Sequence, residues 1–108
     1  MNSYLFVYGT LKSDSEHPAA VRLRECARLA GTGHVLGRKR AMGRYFGLTQ
    51  LPGEEDRVHG EVWELANPEE AFRWLDPYEG PDYERVETPV TMADRVATAW
   101  CYRTVILS

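Results

Sequence analysis

The run Tyr4-Leu5-Phe6-Val7-Tyr8 is almost continuously apolar and rich in aromatic and β-branched side chains. This is the pattern of a strand buried on both faces, so the fold must cover that strand from two sides. The run stops at Gly9-Thr10, a turn signal. Ser13-Asp14-Ser15-Glu16-His17-Pro18 then offers capping side chains and a proline suited to a first helical turn. Behind it Ala19, Leu23, Cys26 and Ala30 recur at helical spacing, with Ala20 and Ala27 beside them. A helix is therefore predicted, ended by Gly31 and Gly33.

From residue 34 to 51 the glycines at 37, 43 and 47 interrupt any long pattern, which predicts two short strands with bulges or bends. Leu51-Pro52-Gly53-Glu54-Glu55-Asp56 reads as an exposed turn. Val58 to Leu65 returns to strand alternation, with Val58 and Val62 on one face and Trp63 and Leu65 on the other. A short helix follows: Asn67 caps it, Pro68 sits in its first turn, and Glu70 reaches back. Ala71, Phe72 and Leu75 give that helix its buried stripe. Asp76-Pro77 and Gly80-Pro81 are expected to bracket a tight loop holding Tyr78 and Glu79. Two strand patterns close the chain, first Val86, Val90 and Met92, then Trp100, Tyr102, Thr104 and Ile106. This order lacks the regular βαβ alternation of a doubly wound parallel sheet. It predicts a single α+β domain spanning all 108 residues, a curved and largely closed mixed sheet with two or three short helices.

Charge and composition exclude several functions. A formal net charge of −3 argues against a nucleic-acid binder, which needs a basic stripe. The one dense basic cluster, Arg38, Lys39, Arg40 and Arg44, reads as a solvated strand edge. Cys26 and Cys101 match no metal or redox spacing and read as small core residues in a reducing compartment. The start MNSYLFVYG has no basic n-region, and no segment approaches a membrane span, so the cytoplasm is expected. His17, His34 and His59 fall in different elements without ligand spacing, and neither a metal nor another cofactor is expected.

Two segments can carry chemistry. Where Val7-Tyr8 gives way to Gly9-Thr10-Leu11-Lys12, backbone N–H groups can turn outward and hold an anion, or the step is a plain turn. No GK(S/T) follows, which disfavours a nucleotide phosphate. In the second segment, Leu75 to Arg85, Glu79 is fenced by aromatic and stiff neighbours. A carboxylate that loses hydration in such a place has a raised pKa and exchanges protons near neutrality. The alternative is a surface residue that caps or salt-bridges its own loop. Arg85, on the face of Tyr83, either orients a carboxylate or pairs with Glu87 or Glu61. Tyr4, Phe6, Trp63, Trp74, Trp100 and Tyr102 fall at strand or helix periods and read as packing, as does Tyr8.

Taken together, the two segments resemble a known pair of motifs. Val7-Tyr8-Gly9-Thr10-Leu11-Lys12 is similar to the YG(S/T)L motif of the γ-glutamylcyclotransferase-like family. Leu75-Asp76-Pro77-Tyr78-Glu79-Gly80, followed by Tyr83-Glu84-Arg85, is similar to its second signature, LDxxEG followed by YxR. Val58 to Leu65 and Trp100-Cys101-Tyr102 extend the resemblance over nearly the whole chain, whose short length resembles the γ-glutamylamine cyclotransferase branch. The resemblance implies a small mixed-sheet β-barrel with a cavity and Glu79 as general acid/base. It also implies substrate binding by Tyr8, Gly9, Thr10 and Leu11, with Tyr83 and Arg85 near the site. The backbone of Gly9 to Leu11 would hold either the substrate carboxylate or the oxyanion. The implied reaction needs no cofactor: a γ-glutamyl amine or amino acid cyclises to 5-oxoproline and the free amine leaves. Its partner is a small γ-glutamyl molecule, with no nucleic acid, no membrane and a monomeric state. A non-catalytic module for small acidic metabolites on the same scaffold is the alternative. Gly43-Arg44-Tyr45-Phe46-Gly47-Leu48 departs from the family's usual G-x-(Y/F)-P-(G/A) pattern because the proline is missing, which bears on substrate preference.

Overall fold

A computed structural model of the chain describes residues 1–9, 11–42, 45–49 and 56–104. Within these the elements run β1 (Tyr4–Val7), α1 (Pro18–Cys26), β2 (Ala27–Leu36), β3 (Arg38–Met42), β4 (Tyr45–Thr49), β5 (Arg57–Leu65), α2 (Pro68–Glu79), β6 (Tyr83–Met92) and β7 (Val96–Thr104). Five strands close into a barrel in the order β1-β5-β2-β6-β7. Each step is antiparallel except the seam between β7 and β1, which is parallel. β3 and β4 pair as a separate two-stranded sheet. The fold is α+β, a small mixed-sheet β-barrel with two helices among the described residues.

β1 is apolar on both faces because each face meets its own cluster. Leu5 and Val7 pack outward against Leu23 of α1 and Phe72 and Leu75 of α2. Phe6 points into the barrel with Val62, Val90 and Cys101, as does Tyr8 just beyond the strand. Full burial of such side chains stabilises the fold by about 1.5–3 kcal/mol each. β5 keeps the expected alternation, with Val58 and Val62 inside and Trp63 and Leu65 under the helices. Asn67 caps α2 as expected: its side-chain oxygen accepts from the Glu70 N–H at 3.2 Å, and its amide donates to the Glu70 carboxylate at 3.4 Å. At the start of α1 the cap is His17, whose Nδ1 accepts from the Ala19 N–H at 3.1 Å.

Several boundaries differ from the sequence expectations. α1 stops at Cys26, and Ala27–Leu36 is a strand where the spacing predicts about one further helical turn, to Ala30. β2 pairs with β5 from Ala27↔Leu65 to Leu36↔Arg57, and with β6 at Gly33↔Met92 and His34↔Thr91. Two neighbouring strands therefore satisfy its backbone, which outweighs the weak helical pattern of its alanines. The irregularity in register falls at Leu29/Gly31 of β2, whereas the β3–β4 pairing is regular. α2 runs through Pro77, so Tyr78 and Glu79 lie in its last turn and not in a loop. Proline lacks an N–H and usually ends a helix, but the Gly80 N–H resumes the ladder by donating to the Asp76 carbonyl at 3.1 Å.

Cys101 is fully buried inside the barrel, while Cys26 at the end of α1 is only half-buried, so the core assignment fits Cys101 better. Of the basic cluster, Arg38 pairs with the exposed Asp56 at 2.9 Å. Gly43, Arg44, the turn residues 51–55 and Ile106 lie outside the described residues. No helix among the described residues is long and apolar enough to cross a membrane.

Candidate active site

The topology gathers three chain segments at one end of the barrel. Along the parallel seam Leu5 lies beside Trp100 and Phe6 beside Cys101, so the chain leaving β1 at Tyr8 does so near the end of β7. β6 starts at the same end, with Tyr83 opposite Thr104. α2 crosses the outer face of the sheet and delivers Glu79 there, close enough for its charge to act on Tyr8, Cys101 and Tyr102. Gly80 then turns the chain from α2 into β6 with φ 84° and ψ −173°, a conformation essentially reserved for glycine.

Glu79 is half-buried, and among the described residues neither a cation nor a hydrogen-bond donor pairs with its carboxylate. Loss of hydration raises its pKa from the ordinary carboxylate range to about 7. Tyr8 stands beside it as a fixed neutral phenol. Burial, with smaller contributions from Cys101, Glu79 and Tyr83, pushes its pKa up, and its hydroxyl donates to the Tyr102 carbonyl oxygen at 2.6 Å. Burial also pushes the Cys101 thiol up to about 12, so it stays protonated and is no nucleophile.

Past Tyr8 the chain turns, with the Lys12 N–H donating to the Gly9 carbonyl at 3.2 Å. Leu11 is buried in the outer cluster, and Thr10 lies outside the described residues. A Cβ built on Gly9 meets nothing within 4 Å, so a ligand can approach the backbone there. Two side chains tie this loop down. Glu61, only 8% exposed, accepts from the Ser13 N–H and hydroxyl at 2.6 and 2.5 Å and from Trp63 Nε1 at 3.3 Å. His17 meets Tyr78 edge-on with ring centres 5.6 Å apart, which joins the far end of the loop to the turn that carries Glu79.

Tyr83 packs against the outer cluster and still acts electrostatically on Tyr8. Arg85 is placed differently. It shares the outer face with Tyr102, its cross-strand partner, and its guanidinium lies 3.9 Å from the Phe72 ring centre and 4.5 Å from that of Trp100. Its Nε and Nη2 donate to the two oxygens of Asp76 at 3.0 and 3.3 Å, and the Tyr102 hydroxyl donates to the same carboxylate at 2.6 Å. The partner is thus Asp76, not Glu87 or Glu61. Arg85 and Asp76 together clamp α2 to β6 and β7 just before Glu79.

The work done by Asp76 and Glu61 leaves little local signal in the sequence, because Arg85, Tyr102 and Ser13 reach them from other strands and a loop. Asp76→Ala strands both the Arg85 guanidinium and the Tyr102 hydroxyl, and the expected loss is about 2 kcal/mol in urea unfolding. Asp76→Asn still accepts from Tyr102 and is expected to cost less than half as much. Equal losses for the two would assign the effect to charge alone.

A family model matches residues 5–105 and so takes in both motif segments. The chain belongs to the γ-glutamyl cyclotransferase, AIG2-like family. Membership supports a function of the general cyclotransferase kind. YkqA from Bacillus subtilis is similar at 25% identity and a TM-score of 0.80, over 96% of this chain but only 36% of YkqA. The chain therefore spans about a third of that relative's length. An AIG2-like protein from Mus musculus is similar at 24% identity and a TM-score of 0.78, covering 98% of this chain and 79% of that one. A solved structure described as a γ-glutamyl cyclotransferase has 18% identity and a TM-score of 0.67 over 94% of this chain and 66% of its own. The last two likenesses concern the fold. No curated protein matches the chain.

Proposed function

We propose that this γ-glutamyl cyclotransferase family member closes the ring of a γ-glutamyl amine or γ-glutamyl amino acid, making 5-oxoproline and the free amine, with Glu79 as general acid/base. The observation that carries the reading is the Glu79 carboxyl, unpaired among the described residues, lifted to a pKa of about 7 and set beside Tyr8 where the loop begins. A group that titrates near neutrality takes up and returns a proton at little cost in either direction.

The neutral α-amine of the substrate attacks its own γ-carbonyl carbon. As the new N–C bond forms, one N–H proton passes to Glu79. Glu79 returns that proton to the departing nitrogen as the amide C–N bond breaks, so no water enters. Intramolecular reactions reach effective molarities of about 10⁵ M or more, and the site mainly has to fold the substrate and move the proton. The backbone at Gly9, open to approach, is suited to receive the carboxylate or the developing oxyanion. A donor aimed at the oxyanion contributes roughly 3 kcal/mol.

The test is release of 5-oxoproline from a panel of γ-glutamyl alkylamines and γ-glutamyl dipeptides. Release in proportion to enzyme is the expected result, and the preferred member identifies the leaving amine. Thermal stabilisation by the same compounds without release from any of them would replace the enzyme with a binding module.

A further inference from the structure

Arg103 has no part in the chemistry above, yet one nitrogen of its guanidinium is buried. On β7, Ala99 and Cys101 point into the barrel, and Arg103 is the next residue on that face. The cross-strand pairs Val86↔Cys101 and Thr88↔Ala99 place Thr88 on the same inner face, where it is 4% exposed. Arg103 Nε donates to Thr88 Oγ1 at 3.3 Å, so the side chain runs back along the interior. Its Nη1 is buried and has no hydrogen-bond partner among the described residues.

A guanidinium stays charged at any physiological pH and presents five N–H donors in a planar fork. Leaving one of its nitrogens dry and unpaired is costly unless something else fills the place. The position is informative. Arg103 acts electrostatically on Tyr8 and Cys101, two of the three residues that feel Glu79. Both opposite charges therefore lie within electrostatic reach of Tyr8 and Cys101, and no ion pair joins them among the described residues. A γ-glutamyl substrate needs a proton acceptor at its amine and a cation for a carboxylate.

We propose that Arg103 anchors a carboxylate of the substrate, with Nη1 as the donor, and so helps to set the substrate class. The inference rests on the reading of the site given above. The carboxylate belongs either to the γ-glutamyl group itself or to an amino acid as leaving group, and the two sources are separable.

Arg103→Gln and Arg103→Lys are compared with wild type in turnover of a γ-glutamyl alkylamine, which has one carboxylate, and a γ-glutamyl dipeptide, which has two. Binding of 5-oxoproline and of its uncharged carboxamide is measured by calorimetry in parallel. Arg103→Gln is expected to raise KM about tenfold or more with kcat little changed, and Arg103→Lys to recover part of the loss. A rise for both substrates, with loss of the preference for 5-oxoproline over its carboxamide, assigns the anchor to the γ-glutamyl carboxylate. A rise confined to the dipeptide assigns it to the leaving amino acid. Wild-type turnover with an unchanged KM in Arg103→Gln, or equal loss of acid and carboxamide binding, overturns the inference alone. Neither turnover nor binding by wild type overturns both this inference and the proposed reaction.

Discussion

Glu79→Gln is expected to lower kcat/KM for 5-oxoproline formation by about 10³-fold or more, and to make the protein more stable above neutral pH. Both effects come from one cause. Folding raises the Glu79 pKa from 4.5 to about 7, so between those values the folded state holds a proton that the unfolded chain has released. The stability tied to this group is complete below pH 4.5, falls as pH rises through the window, and levels off above about 7. The full span is at most about 3 kcal/mol, less what residual exposure screens away.

Glutamine keeps the shape and cannot ionise. The variant should match wild type near pH 4.5 and exceed it at pH 8 by about 1–3 kcal/mol in urea unfolding. Activity should slope the other way, with wild-type kcat/KM rising through pH ~7 as the carboxylate base forms. Full turnover by Glu79→Gln would remove Glu79 from the chemistry. Equal stability of the two proteins at pH 8 would mean that its carboxylate is well hydrated.

Gly60→Ala is expected to destabilise the fold by about 3 kcal/mol or more, or to prevent folding. A Cβ there would stand 2.2 Å from the Val7 carbonyl oxygen and 2.7 Å from the Phe6 ring. The nearer contact is backbone of β1, which lies against β5 with Val7 paired to Glu61. Relief therefore requires moving the strand that leads into Tyr8 and the loop. Gly9→Ala provides the contrast, since its methyl meets nothing within 4 Å. It should fold with near wild-type stability and lose activity if the substrate lies against that backbone. Thermal denaturation of the pair, read beside 5-oxoproline release, separates what Gly60 does for the barrel from what Gly9 does for the site. Wild-type stability in Gly60→Ala would mean that β1 and β5 can separate at little cost.

Much of this was legible in the chain before any coordinates. The run at Tyr4 to Tyr8, the alternation from Val58 to Leu65 and the Asn67–Glu70 cap are set by neighbours within a few residues, and those local rules survive in the fold. The two motif segments pointed to the family for the same reason, since each motif is a short contiguous stretch.

Tertiary contacts decided the rest. Ala27 and Ala30 continue the helical spacing of α1 yet lie in β2, because β5 supplies hydrogen bonds that no pattern inside the segment reveals. α2 passes through Pro77 while Asp76 is held by Arg85 and Tyr102 from two other strands. Glu79 gains its near-neutral pKa only when the barrel end desolvates it. Arg103 reads in sequence as one more charge near the end of the chain, and only closure of the barrel turns it inward with Nη1 buried. Local order thus follows from interactions along the chain, while burial and charge balance depend on which distant segments meet.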